Sequence, residues 1–313
     1  MLSYILNRIG STAIVMLLVS VFVFMLLYLA PGDPAAVLAG DNATPEQVAR
    51  LRASLGLDDS ALVQFWRWIS QVLQGNLGVS IFSNESVLSL MGQRAGATLS
   101  LALATMVIAV PLAITLGVIA AHKAGTTTDR ILMLFSVVGF SVPAFVVGYF
   151  LVWLFAIKLQ IAPVQGYVPI SEGVGQWLKH LVLPAVTLGL TYTALIARIT
   201  RATMIEVLSE DFIRTARAKG VPMIAILLRH ALRNAGVPII TVIGIGIALL
   251  IGGVVVTETV FNIPGVGRLV VDAIARRDYP IIQGVILVFS GIYVLLNLAT
   301  DLSYTLIDPR IRY

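Results

Sequence analysis

The amino-acid sequence predicts an all-α polytopic membrane protein with six transmembrane helices and both termini in the cytoplasm. Three observations carry this. Of 313 residues, 58% are apolar and only 12% charged, against roughly 45–50% and about 25% in soluble domains, which leaves too little polar surface to solvate a globule. Six uncharged apolar runs are each long enough to cross a bilayer as a helix. Lysine and arginine collect in alternate connections between those runs.

The runs are residues 9–30, 97–121, 131–157, 181–197, 234–257 and 279–300, and about 17–25 helical residues span a hydrocarbon core. The first is longer than a usual signal-peptide core. A cut after Ala30 would leave Tyr28 and Pro31 beside the scissile bond, so the helix is expected to stay uncleaved. A seventh uncharged run, 68–84, carries Ser70, Gln71, Gln74, Asn76, Ser80 and Ser83 and is rejected as a span.

With both termini inside, segments 1–8, 122–130, 198–233 and 306–313 hold 12 basic and 5 acidic residues, whereas 31–96, 158–180 and 258–278 hold 9 and 10. The positive-inside rule therefore puts the first set in the cytoplasm. The net charge of +5 reads as membrane orientation; the basic residues form no contiguous stripe for nucleic acid. Three parts follow: 1–30, the N-terminus and first span; 31–96, an extracytoplasmic helical segment; and 97–313, a core of five spans that includes the cytoplasmic segment 198–233.

Within 31–96, Thr44-Pro45-Glu46-Gln47 reads as a helix start, with Thr44 as N-cap and Gln47 closing a capping box. Val48, Leu51 and Leu55 recur at helical spacing before Gly56. A second helix follows Asp58-Asp59-Ser60, sets Leu62, Phe65, Trp66, Ile69 and Leu73 on one side, and stops at Gly75. These helices either lie at the interface and pack on the bundle, or meet an extracytoplasmic partner or cover an entrance. Pro111, Pro143 and Pro184 fall inside spans and permit kinks. Gly244, Gly246, Gly252 and Gly253 allow close helix approach.

Chemistry is largely excluded. With no cysteine there is no disulfide, thiolate metal site or cysteine nucleophile. None of Lys123, Lys158, Lys179 and Lys219 completes a phosphate-cradling loop. His122, His180 and His230 are isolated, with His180 on the other side of the membrane, so no metal site is expected. No carboxylate or histidine falls inside a predicted span, which disfavours an ion-coupled secondary transporter and an intramembrane hydrolase. Asp301, with Asn297 one turn before it, reads either as a snorkelling or locally paired carboxylate near the inner headgroups or as a residue of the transport path.

Segment 198–233 stands out. Seven basic residues and three acids, Glu206, Glu210 and Asp211, surround short apolar stretches, and the helical pattern breaks at 220–222. A helix–break–helix on the cytoplasmic face suits a protein partner. A basic segment resting on anionic lipid would explain the charge but not the row of small and apolar residues.

Here the residues carry a resemblance. The run Glu210-Asp211-Phe212-Ile213-Arg214-Thr215-Ala216-Arg217-Ala218-Lys219-Gly220, followed by His230-Ala231-Leu232-Arg233-Asn234-Ala235 and Pro238, resembles the cytoplasmic coupling loop of ABC-importer permeases of the dipeptide/oligopeptide/nickel group. Three more stretches are similar to that group: Leu29-Ala30-Pro31-Gly32-Asp33-Pro34; Glu258-Thr259-Val260-Phe261-Asn262-Ile263-Pro264-Gly265-Val266-Gly267; and the C-terminal Asp308-Pro309-Arg310-Ile311-Arg312-Tyr313. One departure stands. The general pattern has Glu-Ala-Ala where this chain has Arg214-Thr215-Ala216, so the acidic contact passes to Glu210 or Asp211.

The resemblance implies a type I ABC-importer permease fold in the bacterial inner membrane and a peptide or peptide-like cargo: dipeptide, oligopeptide, glutathione or nickel complex. It implies a non-catalytic chain without a cofactor of its own. ATP and Mg would sit on two cytoplasmic ATPase subunits. The other partners implied are a second homologous permease, an extracytoplasmic substrate-binding protein and membrane lipid. Coupling to the ATPases would fall to Glu210, Asp211, Phe212, Thr215, Ala216, Lys219 and Gly220, with Gly220 in a left-handed conformation and Phe212, Thr215, Ala216 and Lys219 presented to the partner.

Overall fold

The computed structural model describes residues 2–29, 34–40, 43–54 and 56–307. The expected motifs at 29–34 and 308–313 therefore lie largely outside the described residues, as do Leu55 and the side chain of Asp301. Among the described residues the elements are helical, apart from one isolated bridge pairing Val79 with Ser86. The chain divides into two compact units. One takes in the residues up to Ala95 together with Arg268–Val294; the other takes in Gly96–Gly267 and resumes at Leu295.

In the first unit, α1 (Leu2–Leu29) is the first apolar helix, and α2 (Pro34–Ala39) and α3 (Pro45–Ser54) follow it. The capping box forms as expected: the Thr44 amide donates to Gln47 Oε1 at 2.9 Å, and the Gln47 amide donates to Thr44 Oγ1 at 3.4 Å. α4 (Ala61–Leu73) starts after Ser60 and ends ahead of Gly75, whose φ is +83°. Its amphipathic face splits. Phe65 and Trp68 pack on Phe24 of α1, with ring centroids 5.4 and 5.9 Å away, whereas Leu62, Trp66 and Leu73 stay exposed. Asp58 and Asp59 are engaged locally, with Arg52 at 3.0 Å and Arg67 at 2.5 Å.

The second span, α5 (Val87–His122), is 36 residues long and begins ahead of the apolar run at 97. It continues through Pro111 without a break in the helix.

The run 131–157 is not one straight helix. It forms α6 (Thr127–Ser141) and α7 (Ala144–Leu151), the latter continuing as a π-helix over Val152–Lys158, and the two halves are bent by 102°. The cause is Pro143, which lacks an amide hydrogen and forces the preceding Val142 into an extended conformation, φ −83° and ψ 126°. Each half would extend only about 22 Å at the helical rise, short of a ~30 Å hydrocarbon core. Hydropathy cannot register such a break because the residues on both sides of it are apolar.

α8 (Val174–Leu208) is the central helix of the second unit, with two-thirds of its apolar window buried. Ala185, Gly189, Thr193 and Ala197 recur every fourth residue on its buried face. This small-residue row permits close approach to α5: Gly189 faces Ala109 and Thr105, and the Thr193 hydroxyl lies 3.4 Å from the Ala109 carbonyl. α8 also runs on through Arg198 and Arg201 to Leu208, so the first part of the segment expected as a cytoplasmic connection is a continuation of this helix.

α9 (Asp211–Ala218) follows, then α10 (Met223–Ala225), a π-helical stretch Ile226–Ala231 and α11 (Leu232–Asn234). α12 (Gly236–Val260), α13 (Val266–Arg276) and α14 (Tyr279–Ile307) complete the chain. Of the clustered glycines, Gly244 faces Thr300, Gly246 faces Tyr192 and Gly253 faces Leu188 and Tyr192, while Gly252 meets open space. Among the described residues four helices are long and apolar enough to cross a membrane, and the bent α6–α7 pair counts as a fifth if taken as one span. Gly10–Leu26 of α1 is a shorter apolar stretch.

Candidate functional site

α9 is built to stop. Glu210 at the N-cap is extended, and its carbonyl accepts from the Ile213 amide at 3.1 Å; Asp211 lies in the first turn and Arg217 in the last, each at the end of the helix dipole that favours its charge. At the other end the Gly220 amide donates to Arg217 O at 3.0 Å and the Val221 amide to Ala216 O at 3.2 Å. These two bonds, with φ +75° at Gly220, form a complete Schellman motif. Pro222 then prevents resumption of the helix in the same direction. The left-handed glycine expected from sequence is therefore present.

Ile213 and Ala216 point inward. They are buried in a cluster with Met204 of α8, Val118 and Ala121 of α5, Ile226, Leu227 and Ala231 of the π-helical stretch, and Ala235 and Ile239. Val221 packs against the same cluster. The expectation that Ala216 is presented to a partner is thus corrected: the position three residues before Lys219 turns toward the chain's own core. Glu210, Asp211, Phe212, Thr215, Lys219 and Gly220 are exposed. Phe212 is 42% exposed, an aromatic ring on an otherwise polar face, and the Asp211–Arg214 pair beside it, at 3.2 Å, is open to solvent.

The cluster beneath α9 is braced by an ion pair whose carboxylate is buried and whose guanidinium is partly exposed. Arg201 of α8 donates from Nε to Asp129 Oδ1 at 2.5 Å and from Nη2 to Asp129 Oδ2 at 2.7 Å, while the Gly125 amide also donates to Oδ2, at 2.9 Å. Asp129 is 3% exposed. This fork ties the turn between α5 and α6 to the shaft of α8. Sequence reading missed it, because the two residues are 72 positions apart and Asp129 reads as one more loop charge.

Glu258 is the second missed carboxylate. α12 extends past the predicted end at 257, so Glu258 lies in its last turn and is fully buried. The predicted span, which ends at 257, holds no carboxylate, but the helix that continues it carries Glu258 in its last turn. Thr98 Oγ1 donates to Glu258 Oε1 at 2.6 Å and accepts from the Val266 amide at 2.8 Å, so the carboxyl is linked to the first turn of α13. A Cβ at Gly265 would overlap that carboxyl, and one at Gly267 would come within 2.9 Å of it. The available signal was the Pro264-Gly265-Val266-Gly267 spacing six to nine residues after the glutamate.

His180 Nδ1 lies 2.9 Å from the Gln176 carbonyl oxygen, within its own helix.

The family model described as "binding-protein-dependent transport system inner membrane component" matches residues 113–313, and the model for the N-terminal part of such membrane components matches residues 1–102. The chain belongs to this family and is a multi-pass inner-membrane protein. It is 58% identical over 310 residues, 99% of each chain, to the probable peptide ABC transporter permease protein y4tP of Sinorhizobium fredii. It is 42% identical over 313 residues, the full length of both, to the glutathione transport system permease protein GsiC of Salmonella paratyphi A. An inward-facing structure of the MetNI methionine ABC transporter matches with a TM-score of 0.53 at 16% identity, covering 71% of this chain and 94% of that one. That likeness speaks to the fold.

Proposed function

We propose that this chain is a membrane-spanning permease subunit of an ATP-driven importer of peptides or small peptide-like molecules, acting with an extracytoplasmic binding protein. It carries no catalytic group for ATP hydrolysis; ATP and Mg belong to two cytoplasmic ATPase subunits, and a second, homologous permease completes the pathway. Six spans leave both termini in the cytoplasm, with 31–96 outside and the coupling segment, beginning near Ser209, inside. The observation that carries the reading is α9: its buried side chains, Ile213 and Ala216, are packed into the bundle, so a push on its outer side is delivered to α5, α8 and α12 rather than dissipated in a loose loop. Phe212, Thr215 and Lys219 form that outer side, Glu210 and Asp211 supply its acidic contact, and Gly220 fixes where it ends. Rigid-body motion of packed helices is an ordinary way to alternate access.

Two measurements test this. Single cysteines introduced at Ser60 and Ser209, in a chain that has none, should be labelled by an impermeant thiol reagent from opposite sides; labelling of both from one side would overturn the orientation. In proteoliposomes the chain alone should move no peptide, and uptake should require the ATPase subunits, the second permease and the binding protein. Proton- or sodium-driven uptake by the chain alone would make it a secondary transporter instead.

A further inference from the structure

We propose that the groove between the end of α5 and the α10 region is a binding site for an anionic phospholipid, with the acyl chains in the groove and the phosphate at Lys123. The groove encloses about 530 Å³ and is walled by Ile114, Val118 and Ile119 of α5 on one side and Ile224, Leu227 and Leu228 on the other. That volume lies within the ~300–1,000 Å³ of small-ligand clefts. The wall is apolar, and His122 and Lys123 close its rim.

Three features point to lipid. The first is position. His122 and Lys123 come directly after the apolar run that ends at 121, so the rim lies at headgroup depth, whichever leaflet this is. The second is continuity. Leu112 and Ile119, seven residues and so about two turns apart, are exposed on one side of α5, and that apolar side runs into the groove at Ile119.

The third is charge. No carboxylate lines the groove, and among the described residues Lys123 takes part in no ion pair. Its backbone is nonetheless fixed: the Lys123 carbonyl accepts from the Thr126 amide at 3.0 Å and from Thr126 Oγ1 at 2.6 Å, inside the turn that the Asp129–Arg201 fork holds. An unpaired ammonium on a rigid turn, at the mouth of an apolar cleft, matches a phosphate carried on two hydrocarbon chains. Basic pockets between membrane helices recognise anionic headgroups by this arrangement.

The test uses the full-length chain in detergent and native mass spectrometry, with palmitoyl-oleoyl phosphatidylglycerol and the phosphatidylcholine of the same chains as probes. Phosphatidylglycerol should be retained about fivefold more tightly, the worth of one cation near a headgroup. Lys123→Glu should abolish that preference and Lys123→Arg should keep it. Arg50→Glu, a charge reversal on the extramembrane α3, should leave it unchanged. Glycerophosphoglycerol, the headgroup without chains, should not compete. Equal retention of the two lipids, an unaltered preference in Lys123→Glu, or an equal loss in Arg50→Glu would each overturn the proposal. So would protection of an Ile224→Cys thiol by assembled ATPase subunits in fully delipidated transporter, which would assign the groove to a protein.

Discussion

Two glycines end up beside helix termini in this molecule for opposite reasons. At Gly220 a Cβ would meet nothing within 4 Å, but the backbone is left-handed, with φ +75°. At Gly265 the backbone is not left-handed, but a Cβ would overlap the buried carboxyl of Glu258. The first position needs a conformation and the second needs space. Any residue that tolerates a left-handed φ can therefore serve at 220, whereas no side chain can serve at 265 without displacing Glu258. The end of α9 is an exposed, local device; the turn from α12 into α13 is a buried one on which packing depends.

The largest effect should come from breaking the buried turn. Gly265→Ala displaces a carboxyl that holds Thr98 and, through it, the Val266 amide. Leaving such a group buried without its partners costs about 3 kcal/mol. The variant should show a markedly lower thermal midpoint by fluorescence-detected size exclusion in detergent. A midpoint within a degree or two of the parent would mean that the turn relaxes freely, and the contrast with Gly220 would collapse.

An intermediate effect is expected beneath α9. Ala216 is 8% exposed and packs with Ile213 and Met204, so Ala216→Asp drives a carboxylate into an apolar cluster at a cost of roughly 2 kcal/mol or more. The same substitution at Thr215, one residue away but exposed, should lower the thermal midpoint far less, in line with the few tenths of a kcal/mol of an exposed like-charge pair with Asp211. Equal loss of stability at the two positions would remove the distinction between the packed and presented sides of the helix. Ala216→Asp is thus a stability variant, and a loss of ATPase docking in it would not by itself report on the interface.

How far the sequence carried the structure depended on the range of the interactions. Helix starts and stops were legible, because a capping box at Thr44 and Gln47 or a glycine followed by proline at 220–222 is decided within a turn or two of chain. Apolar runs located the long helices for the same reason. The 102° bend between α6 and α7 could be named as a possibility at Pro143 but not sized, since the same proline chemistry leaves α5 continuous through Pro111 and α8 through Pro184. Which side of α9 turns inward was not legible, because Ala216 is small enough for either environment and the cluster that claims it comes from four other segments. The Asp129–Arg201 and Thr98–Glu258 contacts join residues 72 and 160 positions apart; the glycine spacing after Glu258 marks a tight turn, but one sequence does not name the distant partner.

The smallest effect on stability, and the most informative for function, should come from a pair of substitutions at Gly220. Valine is β-branched and resists a left-handed backbone, so Gly220→Val should cost about 1–2 kcal/mol locally. Asparagine visits that conformation far more readily, so Gly220→Asn should cost less. Neither side chain meets a neighbour, so neither should disturb insertion or the packing of Ile213 and Ala216. With valine, the bonds from Gly220 to Arg217 and from Val221 to Ala216 cannot both persist, and the last turn that carries Lys219 loses its fixed direction. In a reconstituted transporter, binding-protein-stimulated ATP hydrolysis should fall in Gly220→Val and be largely retained in Gly220→Asn, with similar thermal midpoints in both. If the two variants lost stimulation equally, the requirement at 220 would be for the absence of a side chain against a docked partner. Gly220 would then resemble Gly265 after all, with the crowding supplied by another subunit.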